Sequence, residues 1–146
     1  MQLLSFDFGM KHIGVAVGQT LTHTATPLTT LRASDGIPNW TEIDKLLNNW
    51  TPTGIVVGIP LNMDDSEQLL THCARKFAKR LHHHTNLPIY TVDERLSTWE
   101  AKNRLKPNLH SKQTKKSKHI HDINAMAAAI LLEQWFQENK NPHSTT

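Results

Sequence analysis

The sequence predicts an α/β layered domain built on a mixed sheet, and three observations carry that reading. Strand-like segments cluster near the N-terminus, at residues 2–8, 13–17 and 22–32, with the β-branched content that suits a pleated surface. Gly54-Ile55-Val56-Val57-Gly58-Ile59 is a continuous apolar run of strand length, as expected of a parallel strand covered on both faces. Helical and strand patterns then alternate, and the chain ends in helices. Early strands, then alternation, then helices describe one sheet with helical layers packed on it.

The elements follow in order. Residues 2–8 alternate weakly and end at Asp7-Phe8-Gly9, a strand running into a turn. The Gly9-Met10-Lys11 connection is short, which makes Ile13–Val17 its hairpin partner. The Thr-rich segment 22–32 supplies a third strand. Asn39-Trp40-Thr41-Glu42 resembles a capping box; behind it Ile43, Leu46, Leu47 and Trp50 recur at helical spacing until Pro52. Leu70, Cys73, Ala74, Phe77 and Leu81 mark one face of a helix over residues 65–84. His82-His83-His84 closes it, where imidazoles suit the C-terminal carbonyls. Residues 88–92 form another strand, and Ser97 with Glu100 opens a capped helix ending near Pro107. The polar stretch 107–120 reads as a mobile loop. The last helix, over residues 122–138, holds Ile123, Ala127, Ile130, Leu131 and Trp135. Residues 1–138 make a single domain, and 139–146 a frayed tail.

Composition narrows the class. A 146-residue chain that is 38% hydrophobic, with four tryptophans, buries a core and is not a disordered segment. It has no run of eighteen apolar residues and no basic stretch leading into an apolar one. Neither a membrane span nor a signal peptide is expected, and the cytoplasm is the expected location. The single cysteine, Cys73, forms no internal disulfide and belongs to an apolar helix stripe. The net charge of +3 is modest, but its distribution is uneven. Lys102, Arg104, Lys106, Lys112, Lys115, Lys116 and Lys118 occur without an intervening acid.

Acids fall at the expected element ends. Asp7 ends the first strand, Asp93-Glu94 ends the strand 88–92, and His121, Asp122 and Asn124 open the last helix. Carboxylates gathered in this way bind hard divalent cations, which activate water against a phosphodiester. Capping and salt bridging also account for acids at element ends, so spacing alone leaves both readings open.

Four segments add a resemblance. Asp7-Phe8-Gly9-Met10-Lys11-His12-Ile13-Gly14-Val15-Ala16-Val17 is the first, and Val56-Val57-Gly58-Ile59-Pro60-Leu61-Asn62-Met63-Asp64 the second. Asp93-Glu94-Arg95-Leu96-Ser97-Thr98 is the third; Asn124-Ala125-Met126-Ala127-Ala128 with Ile130-Leu131-Leu132 is the last. In this order, across residues 3–136, they resemble the motifs of the YqgF family. Its members are described as Holliday-junction resolvases and as nucleases that trim the 5′ end of precursor 16S ribosomal RNA. The resemblance implies a ribonuclease-H-like fold with antiparallel first three strands and helices on both faces. It also implies a phosphodiester hydrolase that uses Mg²⁺ or Mn²⁺ on structured RNA or branched DNA, as a monomer or homodimer.

Carried over by residue, Asp7 matches the first metal-binding aspartate, and Glu94 or Asp93 the second acid. Only one of that pair faces the site, and Glu94 is favoured. Arg95 would contact phosphate or pair with a nearby acid, and Lys11 would hold phosphate or be a surface lysine. Gly9 and Gly14 serve a tight turn and a close approach. Asn62 would bond substrate or stabilise its turn. Lys112, Lys115, Lys116 and Lys118 would grip the nucleic-acid backbone.

The chain departs from the family at Asn124, which stands where the last catalytic aspartate is expected. Asp122 would replace that acid if it precedes the first helical turn, or else it is the N-cap. His121 is a further candidate ligand. Milder departures place Asp65 where the family has glycine and His12 where it has an arginine-like residue. A nucleic-acid-binding ribosome-assembly factor that cuts poorly is the competing function.

Overall fold

Alternation along the first strand decides the layering. In β1 (Gln2–Asp7), Leu4 and Phe6 face one side of the sheet; Leu3, Ser5 and Asp7 face the other, and all five are buried. Both faces must therefore be covered. The computed structural model describes residues 1–96 and 114–139, the side chains of 114–122 excepted.

β2 (His12–Gln19) pairs antiparallel with β1, and β3 (Thr24–Ser34) antiparallel with β2. A short β4 (Ile37–Pro38) extends that edge. On the other side of β1, β5 (Gly54–Asn62) and then β6 (Ile89–Leu96) join in parallel. The six-stranded order is β4-β3-β2-β1-β5-β6. This is the mixed sheet expected, with its first three strands antiparallel.

Helices α1 (Trp40–Trp50) and α2 (Leu69–Thr85) cover one face. There Ile43, Phe77 and Leu81 join Leu4, Phe6, Val15 and Ile55 in the main core. Phe77 takes Phe6 edge-on at 5.7 Å and Phe8 at 5.3 Å between ring centroids. Each such side chain contributes about 1.5–3 kcal/mol on burial. Helix α3 (Thr114–Glu138) covers the opposite face. Its Leu131, Leu132 and Phe136 pack on Leu3, Val56 and Val92, and Ala128 and Ala129 on Ala16. The buried Ser5 hydroxyl donates to the Ala128 carbonyl at 2.7 Å, tying this helix to β1. No helix among the described residues is long and apolar enough to cross a membrane.

Helix ends obey local chemistry. The Asn39 side chain accepts from the Thr41 amide at 2.9 Å, and Thr51 closes α1 in the left-handed region at φ 42° before Pro52. The histidine triplet does close α2. His84 Nε2 lies 2.7 Å from Asp44 Oδ1 with its ring against Trp40, and His82 Nδ1 lies 2.9 Å from the Leu87 carbonyl. Cys73 is partly buried against the main core.

Several boundaries differ from expectation. β5 runs on through Pro60 and Leu61, and β6 through Asp93 and Glu94, because the two strands keep pairing as far as Asn62 with Leu96. α2 begins at Leu69 rather than 65, since residues 62–68 are held as a turn. α3 begins at Thr114 rather than 122. The segment read as the end of a polar loop contains no Gly or Pro from 114 onward, so nothing breaks the helix. The helix expected at 97–107 and the tail from 140 lie outside the described residues.

Candidate functional site

Register brings two acids together. Extending the pairing of Phe6 with Val57 by one residue sets Asp7 beside Gly58. Gly58 in turn pairs with Val92, two residues before Glu94. The Glu94 carboxylate folds back over the glycine: a Cβ at 58 would sit 2.7 Å from Glu94 Oε1 and 2.6 Å from Leu131 Cδ1. Leu131 belongs to α3, so Glu94 lies on the face that α3 covers, which is also the face of Asp7. Asp7 is 5% exposed and Glu94 half-buried. In the sequence Gly58 belongs to an apolar run and to the second family-like segment, with no site role attached to it. A glycine inside a buried strand is itself the signal of a close approach.

Alternation along β6 turns Asp93 and Arg95 to the other face, where both are exposed. Of the Asp93-Glu94 pair, Glu94 is therefore the acid on the Asp7 side.

Helix α3 crosses this row at Asn124. Gly14 pairs with Asp7, and a Cβ on Gly14 would fall 1.9 Å from the Asn124 carbonyl oxygen. Helix backbone thus rests directly on strand backbone, and the half-buried Asn124 stands at the level of Asp7. Thr30, paired with Gly14 on the far side and 6% exposed, completes the row. Sequence reasoning passed it over, because a threonine in a Thr-rich strand carries no distinguishing signal. Gly9 shapes the turn after Asp7, where a Cβ would meet the His12 carbonyl oxygen at 2.5 Å.

Asp122 and His121 do not open the helix. Thr114 to His121 precede Asp122 in α3, so it is neither an N-cap nor a residue ahead of the first turn. Within a helix, positions 122 and 124 are about 200° apart around the axis. Among the described residues no group of three His, Cys, Asp or Glu side chains gathers as a metal-holding cluster. Two carboxylates with Asn124 make up the described site.

The remaining candidates are dispersed. Lys11 is exposed in the hairpin turn just past Asp7. Asn62 uses its side chain within the β5–α2 turn: its amide donates to Ser66 Oγ at 2.9 Å, and its oxygen accepts from Gln68 Nε2 at 3.1 Å. Ser66 in turn donates to Asp64 from its hydroxyl and its amide. The hydroxyl bond first, and then the amide bond, hold the Asp64 carboxyl below the usual carboxylate range. Arg95 pairs with Asp65, the acid alternative expected for it. Asp65 itself adopts φ 70°, which explains why glycine suits that position. Lys115, Lys116 and Lys118 belong to the first turns of α3 rather than to a loop. Lys112 lies outside the described residues.

Comparison with known proteins matches this architecture. The family model RuvX, described as Holliday junction resolvase, matches residues 1–138. A Coxiella burnetii protein named as a proposed pre-16S rRNA nuclease is 51% identical over 138 residues, covering 94% of each chain. A Haemophilus ducreyi protein of the same name is 50% identical, covering 94% of this chain and 96% of its own. Among solved structures, Thermus thermophilus RuvC superposes with a TM-score of 0.50 at 15% identity over 97% of both chains. The Fowlpox virus resolvase, solved with Holliday junction DNA, also gives 0.50, at 12% identity over 93% of this chain and 99% of its own. Those two likenesses show a shared ribonuclease-H-like fold. By the family match and by relatives half identical along nearly their whole length, the chain belongs to the RuvX family, also called YqgF.

Proposed function

We propose that this chain is a metal-dependent endonuclease of structured nucleic acid, which trims the 5′ end of precursor 16S ribosomal RNA in the cytoplasm. The approach of Glu94 to Asp7 across Gly58, on the face covered by α3, carries the reading. The names of the relatives favour the RNA substrate, and the family description adds branched DNA as a second substrate class.

The donor set suits a hard divalent cation such as Mg²⁺ or Mn²⁺, because Asp7, Glu94 and the Asn124 amide all offer oxygen. Asp7 and Glu94 would hold the ion, with Asn124 as a neutral third donor. A divalent cation bound there supplies an activated water and neutralises charge on the phosphodiester. Asp7, buried on a central strand, is held in place before substrate arrives. Lys11 takes a phosphate oxygen beside the scissile bond, and Lys115, Lys116 and Lys118 take the flanking backbone. Arg95 and Asn62 order the turn at the end of β5.

The test is cleavage of a precursor 16S 5′-leader RNA, beside a four-way DNA junction, with Mg²⁺ or Mn²⁺. Metal-dependent cutting is expected. Asp7→Asn should reduce it by more than the ~10–100-fold that follows loss of an outer-shell partner. Tight RNA binding by folded wild-type protein without cutting would defeat the reading.

One observation favours a second reading, a ribosome-assembly factor that binds RNA and cuts weakly. Asn124 is neutral where the family resemblance places the third acid, and it stands level with Asp7. Asn124→Asp separates the two. A nuclease that tolerates Asn124 should cut at a comparable rate in both forms, with the variant needing less metal. A crippled site should gain its cutting only in the variant.

A further inference from the structure

A cationic concavity lies on the face of the sheet away from the carboxylates. Ile59, Ala78 and Ile89 line a cleft of about 340 Å³ between α2 and β6. Arg75, Lys79, His82, His83 and Thr91 complete its lining. The two faces are distinct: Ile59 alternates with Gly58, and Thr91 with Val92, along strands whose Gly58 and Val92 face α3.

The charge around this cleft is one-sided. Between Leu69 and Thr85, α2 carries Arg75, Lys76, Lys79 and Arg80 and no acid. Arg75 is tied to Glu67 at 3.3 Å, whereas Lys79 makes no ion pair among the described residues. Lys79 and His83 are one helical turn apart and share a face. Asp93, two residues beyond Thr91, is the acid on the same strand face. An apolar floor with a cationic rim, of this size, suits a nucleobase and its phosphate better than an extended peptide or a lone anion.

Position adds the second argument. Thr91 and Glu94 sit three residues apart on β6, the edge strand of the described sheet. That is about 10 Å along the strand. An unpaired strand rounding this edge reaches the carboxylates on one face and the cleft on the other. We infer that the α2–β6 cleft holds a nucleotide from a single-stranded segment of the substrate, away from the cleavage point. This rests on the nucleic-acid reading above but not on cutting.

Binding of a fluorescent single-stranded RNA oligonucleotide, measured by anisotropy in EDTA, tests it. Lys79→Glu is compared with Lys45→Glu, an equal charge change on the exposed surface of α1, outside the cleft. Circular dichroism checks that both fold. Lys79→Glu should weaken binding about tenfold and lower the salt slope by about one, as the loss of one phosphate contact requires. Lys45→Glu should change affinity less than twofold. Equal effects from both, or none from Lys79→Glu, overturn the cleft as a site. Binding of adenosine monophosphate that is lost in Lys79→Glu, with oligonucleotide affinity unchanged, also overturns it, in favour of a free-nucleotide site. RNA binding that depends on Lys79 in a protein that never cuts supports the cleft while defeating the nuclease reading. Cutting that persists with oligonucleotide affinity unaffected by Lys79→Glu does the reverse.

Discussion

A methyl group at Gly14 would have nowhere to go. Its carbon would lie 1.9 Å from the Asn124 carbonyl oxygen, and both partners are backbone, so no rotamer relieves the clash. Gly14→Ala should push α3 off β2, at or above the ~1–3 kcal/mol typical of overpacking. Chemical denaturation measures the loss, and a cleavage assay should show it as well, since Asn124 would move relative to Asp7. Asp65 presents a different local problem. It holds a left-handed backbone that favours glycine and in return pairs with Arg95. Asp65→Ala loses the pair and keeps the unfavourable backbone; Asp65→Gly loses the pair and relieves it. The exposed pair is worth little, whereas left-handed backbone costs an L-residue about 1–2 kcal/mol. The glycine variant should therefore be the more stable of the two by about 1 kcal/mol. Equal melting temperatures would mean that the backbone there relaxes freely.

Among the elements, α3 does the most to define the site, and it docks through small residues. Ala128 and Ala129 let its backbone approach β2, and Ser5 anchors it with one buried hydrogen bond. Ser5→Ala removes that bond and should cost about 1 kcal/mol, which for a chain of this size lowers the melting temperature by about 2–4 °C. An unchanged melting temperature would show that alanine packing alone seats the helix. The same helix marks the limit of what the sequence conveys. Apolar content located the C-terminal half of this helix but misjudged its inner face. Of Ile123, Ala127, Ile130, Leu131 and Trp135 only Leu131 is fully buried, Ile123 and Ile130 are exposed, and Leu132 and Phe136 join Leu131 against the sheet. Its first turns are polar and repeat no apolar spacing, so Thr114 could not be picked as the start, and Asp122 was mistaken for a helix opening. β6 shows the same effect: Asp93-Glu94 looked like a strand end because charged residues interrupted the apolar pattern, yet pairing with β5 carries the strand to Leu96. Asp7, Gly14 and the preference for Glu94 over Asp93 were legible from motif and alternation. Gly58 and Thr30 were not, because their part in the site comes from register between strands distant in sequence.

At the scale of the whole molecule, the proposed site ties distant parts of the chain together. Asp7 comes from the first strand, Glu94 from the edge strand β6 two places away in the described sheet, and Asn124 from the last helix. The unfolded chain holds no such arrangement, so an ion bound by these groups binds the native state alone. Metal at about a hundred times its dissociation constant then adds about 2.7 kcal/mol of stability. At the scale of this domain that is a rise of about 5–10 °C in melting temperature. Asp7→Asn should abolish the rise with Mn²⁺ while leaving RNA binding in EDTA intact, since it removes a metal donor without touching the cationic surfaces. Asn124→Asp should enlarge the rise, because a carboxylate replaces a neutral amide oxygen. Calorimetry with and without Mn²⁺ on the three proteins reads all of this without a substrate, separating metal binding from cutting. A wild-type melting temperature indifferent to millimolar Mn²⁺ would leave Asp7 and Glu94 as buried acids with another purpose. A rise that persists in Asp7→Asn would place the ion elsewhere.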